Sequence, residues 1–147
     1  MITAMQPIGQ NRPAIVVRYR TMLTLWFAMT MSLLMWLVLI RVVTVTSTVN
    51  QKLGLLLICL SLVPMSLSFL VKQIVLGKAI QQQSPASVQQ PYVVAWALSE
   101  ASALIGLLAN FVAASPYFYA AFVVGGLGML LHIPQKKHLL AASGQEF

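Results

Sequence analysis

The chain has no aspartate, a single cysteine and only two acids, Glu100 and Glu146, among its 147 residues. Each shortage closes off a class of function. Without aspartate there is no Ser/His/Asp set, and no HExxH run occurs, so hydrolysis by side chains lacks its parts and an enzyme is not the expected reading. Cys59 alone allows no internal disulfide, no CxxC and no Cys/His zinc spacing. It falls inside an apolar run, where a lone thiol behaves as a small buried hydrophobe. Neither a metal nor another cofactor is expected. Charge is scarce as well: Asp, Glu, Lys and Arg make up 7% of the chain, against roughly 25% in a soluble globular domain.

Apolar residues take that place. Hydrophobic residues amount to 59% of the chain, so lipid is the expected solvent for most of it and the bilayer its first partner. The formal charge is +7, from nine Lys and Arg against the two acids. Those cations sit at the borders of apolar runs, where they set orientation and meet anionic head groups. No nucleic-acid partner is expected.

Four runs organise the chain. Residues 1–20 carry Pro7, Gly9, Pro13 and three arginines and read as a cytoplasmic tail. Met22 to about Val45 forms the first helix, since about 20 residues rising about 1.5 Å each cross a hydrocarbon core of about 30 Å. A cleavable signal would have a shorter apolar region followed by an A-x-A-like site, which is missing. A second helix covers 53–76, with Pro64 placed to kink it and Lys72 expected to snorkel to the interface. Residues 77–91, rich in Gln, Ser and Pro, form a solvated loop. A third helix covers 92–113, a turn at Ala114, Ser115 and Pro116 follows, and a fourth helix covers 117–133. Pro134 ends it, and 134–147 is expected to fray.

The fold class is therefore all-α: a polytopic membrane protein of four transmembrane helices. Arg12, Arg18, Arg20, Lys72, Lys78, Lys136 and Lys137 would fall on one side, and Arg41 and Lys52 on the other. Seven against two places both termini in the cytoplasm, with the bacterial inner membrane as the expected location. Tyr92, Trp96, Tyr117, Phe118 and Tyr119 near span ends fit interfacial aromatic belts. Four apolar runs leave no polar stripe to cover a soluble core, and the alternation of a membrane barrel is absent.

Glu100 is the one acid inside a run. It lies about 12 Å along the third helix, near mid-membrane. An acid at that depth costs on the order of 2.5 to 3.5 kcal/mol on insertion scales, and such residues tend to face a bundle interior and serve ion or proton paths. Thr30, Pro64 and Gly125 fall at the same depth. Ser61 and Ser68, on the Pro64 face of the second helix, and Thr30 are the hydroxyls expected to support the carboxyl. Glu100 is read as a proton or cation site, as a protonated packing residue, or as an acid awaiting a basic partner subunit.

Small residues repeat at helical spacing: Ala95, Ser99, Ser102, Gly106 and Ala109 on helix three, Ala121, Gly125 and Gly128 on helix four. In lipid, close backbone approach through such residues drives packing, so a tight hairpin of helices three and four is expected. His132 continues the stripe and is expected to be solvated at the cytoplasmic border.

The segment Ala97-Leu98-Ser99-Glu100-Ala101-Ser102-Ala103-Leu104-Ile105-Gly106-Leu107 resembles the ion-binding helix of rotary ATP synthase subunit c, whose pattern is similar to AEAxxxYGL. The glutamate, the following alanine and the glycine six residues later coincide. Residue 105 is Ile where that pattern has Tyr, and the glycine-repeat helix of that family has no counterpart here. The resemblance implies that Glu100 carries a translocated proton or sodium ion. The whole pattern also looks like small bacterial four-helix inner-membrane proteins, which implies no activity. Three functions are thus expected to compete: a proton- or cation-handling component centred on Glu100; a non-catalytic structural or accessory subunit that self-associates or joins other membrane subunits; and a lipid- or quinone-binding protein.

Overall fold

A computed structural model describes residues 12–43 and 48–144, Arg12 by its backbone alone. The tail to residue 11, the connector at 44–47, the side chain of Arg12 and Glu146 lie outside this description. Five helices follow one another: α1 (Arg12–Val42), α2 (Gln51–Gln81), α3 (Gln89–Ala113), α4 (Phe118–Leu131) and α5 (Lys136–Ala142), with no strand among the described residues.

The helices are longer than their apolar cores. α1 starts at Arg12 rather than at Met22, because Pro13 is suited to a first turn, where its missing N–H costs nothing, and Ala14 to Val17 extend the apolar face. α2 runs 31 residues, beginning at Gln51 and passing through Pro64 without interruption. Asn50 caps it by accepting a hydrogen bond from the Leu53 amide at 3.1 Å. Its far end continues to Gln81, into the stretch read as loop, because nothing before Ser84-Pro85 stops it. The true loop is residues 82–88, and it is not wholly solvated: Val88 is fully buried at its end. α3 starts at Gln89 and closes with Ala114 in the left-handed region, φ 43°, a cap that glycine fills more cheaply.

By length and composition α1, α2 and α3 are each able to cross a membrane, and the α4–α5 pair, bent by 50°, makes a fourth such segment if it counts as one. Apolar side chains cover the outside: Val38, Leu56, Val63 and Val123 are each more than half exposed. Such a surface is stable in lipid, not in water.

Contacts fix which ends lie together. The Asn50 amide donates to the Ala113 carbonyl at 3.0 Å, joining the start of α2 to the end of α3. Arg41 lies over the Tyr119 ring, which brings the end of α1 to that same end. At the opposite end Lys136 lies over Tyr19, Lys72 over Tyr92, and Tyr92 bonds His138. The helices therefore run up, down, up and down, and α5 returns beside the start of α3. α3 is the central helix: 44% of its most apolar window is buried, against 11% for α1 and 17% for α2.

Small residues set the α3–α4 distance. A Cβ added at Gly125 would meet the Ser99 carbonyl oxygen at 2.7 Å, and one at Gly106 would meet Ala121 Cβ at 2.7 Å. At Gly128 it would strike the Ser99 hydroxyl and Met65. Ala95, Ala109 and Ala121 are fully buried. Ser102 turns the other way, toward α2, and donates to the Ser61 carbonyl at 2.7 Å.

The segment expected to fray is ordered over α5. Leu139 and Ala142 are buried against Ile15, Leu76, Ala79 and Val88, so α5 closes one end of the bundle with its apolar face. Cys59 corrects its reading as well: it is exposed on the outer face of α2 rather than buried.

Candidate functional site

Two polar constellations lie within the apolar bundle. The first is Glu100, half-buried on the side of α3 that meets α1. The Ser32 hydroxyl donates to its Oε1 at 2.5 Å. One turn further along α1, the buried indole Nε1 of Trp36 has no hydrogen-bond partner among the described residues. The same holds for Nδ2 of Asn110, ten positions along α3 from Glu100 on a 9% exposed residue.

The second centres on His132, which is fully buried at the end of α4. Its Nε2 is 2.9 Å from the Ser68 hydroxyl and its Nδ1 is 3.3 Å from Lys72 Nζ. The directions follow from donor inventory. An ammonium only donates, so Nδ1 accepts from Lys72; Nε2 then carries the hydrogen and donates to Ser68, whose own proton goes to the Met65 carbonyl at 2.6 Å. The Phe69 ring packs on the imidazole at 4.7 Å, and Trp96 Nε1 donates to the His132 carbonyl at 2.9 Å.

Lys72 links this group to the border. Its ammonium sits 4.5 Å from the centre of the Tyr92 ring, a cation–π distance. The Tyr92 hydroxyl is hydrogen-bonded to His138 Nδ1 at 2.5 Å and accepts from the Gln135 amide at 3.3 Å. One tyrosine thus anchors both the bend after α4 and α5 itself.

The hydroxyls expected around Glu100 go elsewhere. Thr30 donates to the Trp26 carbonyl in its own helix at 2.8 Å. Ser61 donates to the Ile58 carbonyl at 2.6 Å, and Ser68 serves His132. The partner is Ser32, two residues past Thr30, and hence on the other side of α1. His132, expected in solvent, is sealed inside. Lys72, expected to snorkel outward, turns inward to His132. Tyr92 and Trp96 are fully buried rather than members of an interfacial belt, whereas Tyr117 and Tyr119 are 49% and 39% exposed. A signal for the second constellation was present: Ser61, Ser68 and Lys72, at i, i+7 and i+11, form one stripe of α2.

Among the described residues no three His, Cys, Asp or Glu side chains converge as a metal cage requires. No family model, curated protein or solved structure was found to match the chain.

Proposed function

We propose that this is a small integral membrane protein that handles protons or cations through Glu100. The observation that carries the reading is the Ser32–Glu100 contact at 2.5 Å, which holds a half-buried carboxyl between two apolar helices. A hydroxyl there serves both protonation states, donating to the carboxylate and accepting from the acid. The charge can then be taken up and released without moving a helix. The likeness of 97–107 to the ion-binding helix of subunit c supports the same role. In this reading α1, α2, α3 and α4 cross the bacterial inner membrane with both ends cytoplasmic. The Lys136, Lys137, Arg18 and Arg20 end faces the anionic leaflet, as the excess of cations there favours.

Reconstitution into liposomes carrying a pH-sensitive dye tests it. Wild-type protein is expected to dissipate a proton or sodium gradient, and Glu100→Gln to reduce the flux at least tenfold. Equal flux from the two proteins would sink the reading.

A second reading, a structural subunit of a larger membrane complex, is supported by how little of α1 and α2 the chain covers by itself. Native mass analysis after gentle extraction separates the two. A lone monomer would count against the subunit.

A further inference from the structure

A cavity of about 350 Å³ opens at the cation-rich end of the bundle. Three segments far apart in sequence wall it: Ala14, Ile15 and Arg18 near the start of α1, residues 83–86 of the loop after α2, and Ser143 just past α5. Small-molecule sites begin at about 300 Å³, so the space suits a ligand rather than a water or two.

The walls are held from behind. Ile15 is buried in one core with Val88, Leu139 and Ala142, which fixes the start of α1 against the loop end and α5. The Ser84 amide donates to the Ala79 carbonyl at 3.1 Å, and Gln83 turns the chain there with φ 48°. The Gln83 side chain lies beside Gly144, so the loop and the segment after α5 meet across the cavity.

The lining carries charge of one sign. Arg18 is its charged member, no acid lines it, and Arg18 makes no ion pair or side-chain hydrogen bond with any described residue. An exposed arginine at a membrane border ordinarily needs only water and the leaflet. What sets Arg18 apart from Arg20 is the polar cavity beside it. The Ser84 and Ser87 hydroxyls are 2.9 Å apart, and with Ser87 donating, Ser84 keeps its own hydrogen for a ligand. Next to Arg18, Tyr19 carries the Lys136 ammonium 5.0 Å from its ring centre, a second cation at the same end. Such a field concentrates anions at the mouth.

We propose that this cavity holds one phosphate group, presented by a phospholipid head group or by a soluble phosphate ester, with Arg18 as its anchor and Gln83 and Ser84 as further donors. A guanidinium fork matches two phosphate oxygens at once. Donors arriving from α1 and from the loop suit a tetrahedral group better than a planar carboxylate. Ala14, Ile15, Pro85 and Ala86 give the remaining wall an apolar surface for the carbon that bears the phosphate. The role of Glu100 does not enter.

Native mass spectrometry of the intact chain, released from detergent micelles, tests the site with two probes of equal acyl chains. Phosphatidate carries a phosphate and diacylglycerol does not. One phosphatidate is expected to bind at least tenfold more tightly than diacylglycerol. Arg18→Gln is expected to erase that preference and Arg18→Lys to restore part of it. Ala86→Trp, which fills the cavity from an exposed position without changing charge, is expected to weaken phosphatidate severalfold. Arg20→Gln removes the same charge from the same helix outside the cavity and is expected to keep the preference. Unaltered circular dichroism certifies the fold of each variant. Glycerol 3-phosphate separates the two sources: Arg18-dependent binding as tight as that of phosphatidate assigns the site to a soluble ester, and much weaker binding assigns it to a phospholipid. No preference for phosphatidate overturns the proposal. So does a preference that Arg18→Gln and Arg20→Gln reduce equally, because diffuse charge then accounts for it. Phosphatidate binding that appears only in Glu146→Gln protein shows the cavity taken by the chain's own carboxylate and also overturns it.

Discussion

Gly125 and Gly126 are neighbours on α4 with opposite surroundings, and alanine at each makes a matched pair. A Cβ at Gly125 would lie 2.7 Å from the Ser99 carbonyl oxygen, 3.1 Å from Ala103 Cβ and 3.3 Å from the Ala103 amide nitrogen. Two of these three atoms are backbone, so relief requires α3 and α4 to move apart. Overpacking of this sort costs about 1 to 3 kcal/mol. At Gly126 nothing lies within 4 Å, and Gly→Ala within a helix gains about 0.5 to 1 kcal/mol. The helix gain is common to both positions, so the two variants should differ by the overpacking cost alone, about 1 to 3 kcal/mol, Gly125→Ala being the weaker. Titration with SDS in mixed micelles, followed by far-ultraviolet circular dichroism, reads this difference directly. Equal stability would show that α3 and α4 do not touch through Gly125, and would refute the small-residue account of the hairpin.

Other perturbations address the polar groups. His132→Ala should cost about 3 to 5 kcal/mol in the same titration, since it empties a fully buried site and strands both Ser68 and Lys72. Ser68→Ala alone should cost about 1 kcal/mol, and the double variant should reveal coupling of about 0.6 to 1 kcal/mol. Tyr92→Phe removes the acceptor of the Gln135 amide and the hydrogen-bond partner of His138, so protease cleavage within 136–142 should rise severalfold with the remaining helices intact. Acidification should do the same. Burial first, and then the charges of Lys72 and Lys137, hold the His138 imidazole below its usual range, so a proton taken up there opposes the docked state. α5 is then docked at neutral pH and loosened as the pH falls below the ordinary imidazole value of 6.5. Cleavage that does not change with pH in wild type would disprove this sign.

The site was less legible than the fold because these helices are apolar on nearly every face. Apolar runs and Pro134 place the helices along the chain, although α1 begins at Arg12 and α2 ends at Gln81, outside those runs. Rotation about each axis is another matter. In a soluble helix a polar stripe marks the outward face, but in lipid Leu is as well placed outside as in, and the pattern carries little phase information. Depth along α1 points to Thr30, but the hydroxyl that meets Glu100 belongs to Ser32 on another side of that helix, because the sequence carries depth and not azimuth. The small residues of α3 carried azimuth, since Ala95, Ser99, Gly106 and Ala109 recur on one side, yet Ser102 shows the limit of that inference by turning to α2.

Lys72 and His132 show the other limit. Each lies near a span end, where a polar side chain is expected to reach outward to water. A bond between Lys72 and His132, 60 positions apart, exists only once α2 and α4 are packed. Likewise α5 is too short to hold a helix by its own propensity and is ordered by burying Leu139 and Ala142 against α1, α2 and the end of the 82–88 loop.

The sequence by itself determined that the chain is helical and suited to lipid, because uninterrupted apolar runs of this length cannot be solvated by water and must satisfy their backbone internally. It determined the presence of one acid within those runs. Only the tertiary structure decided which hydroxyl meets Glu100, which cation meets His132, and that the last seven-residue helix closes the bundle. Those choices depend on the relative rotation of helices, which the contacts between small residues set and hydrophobicity does not.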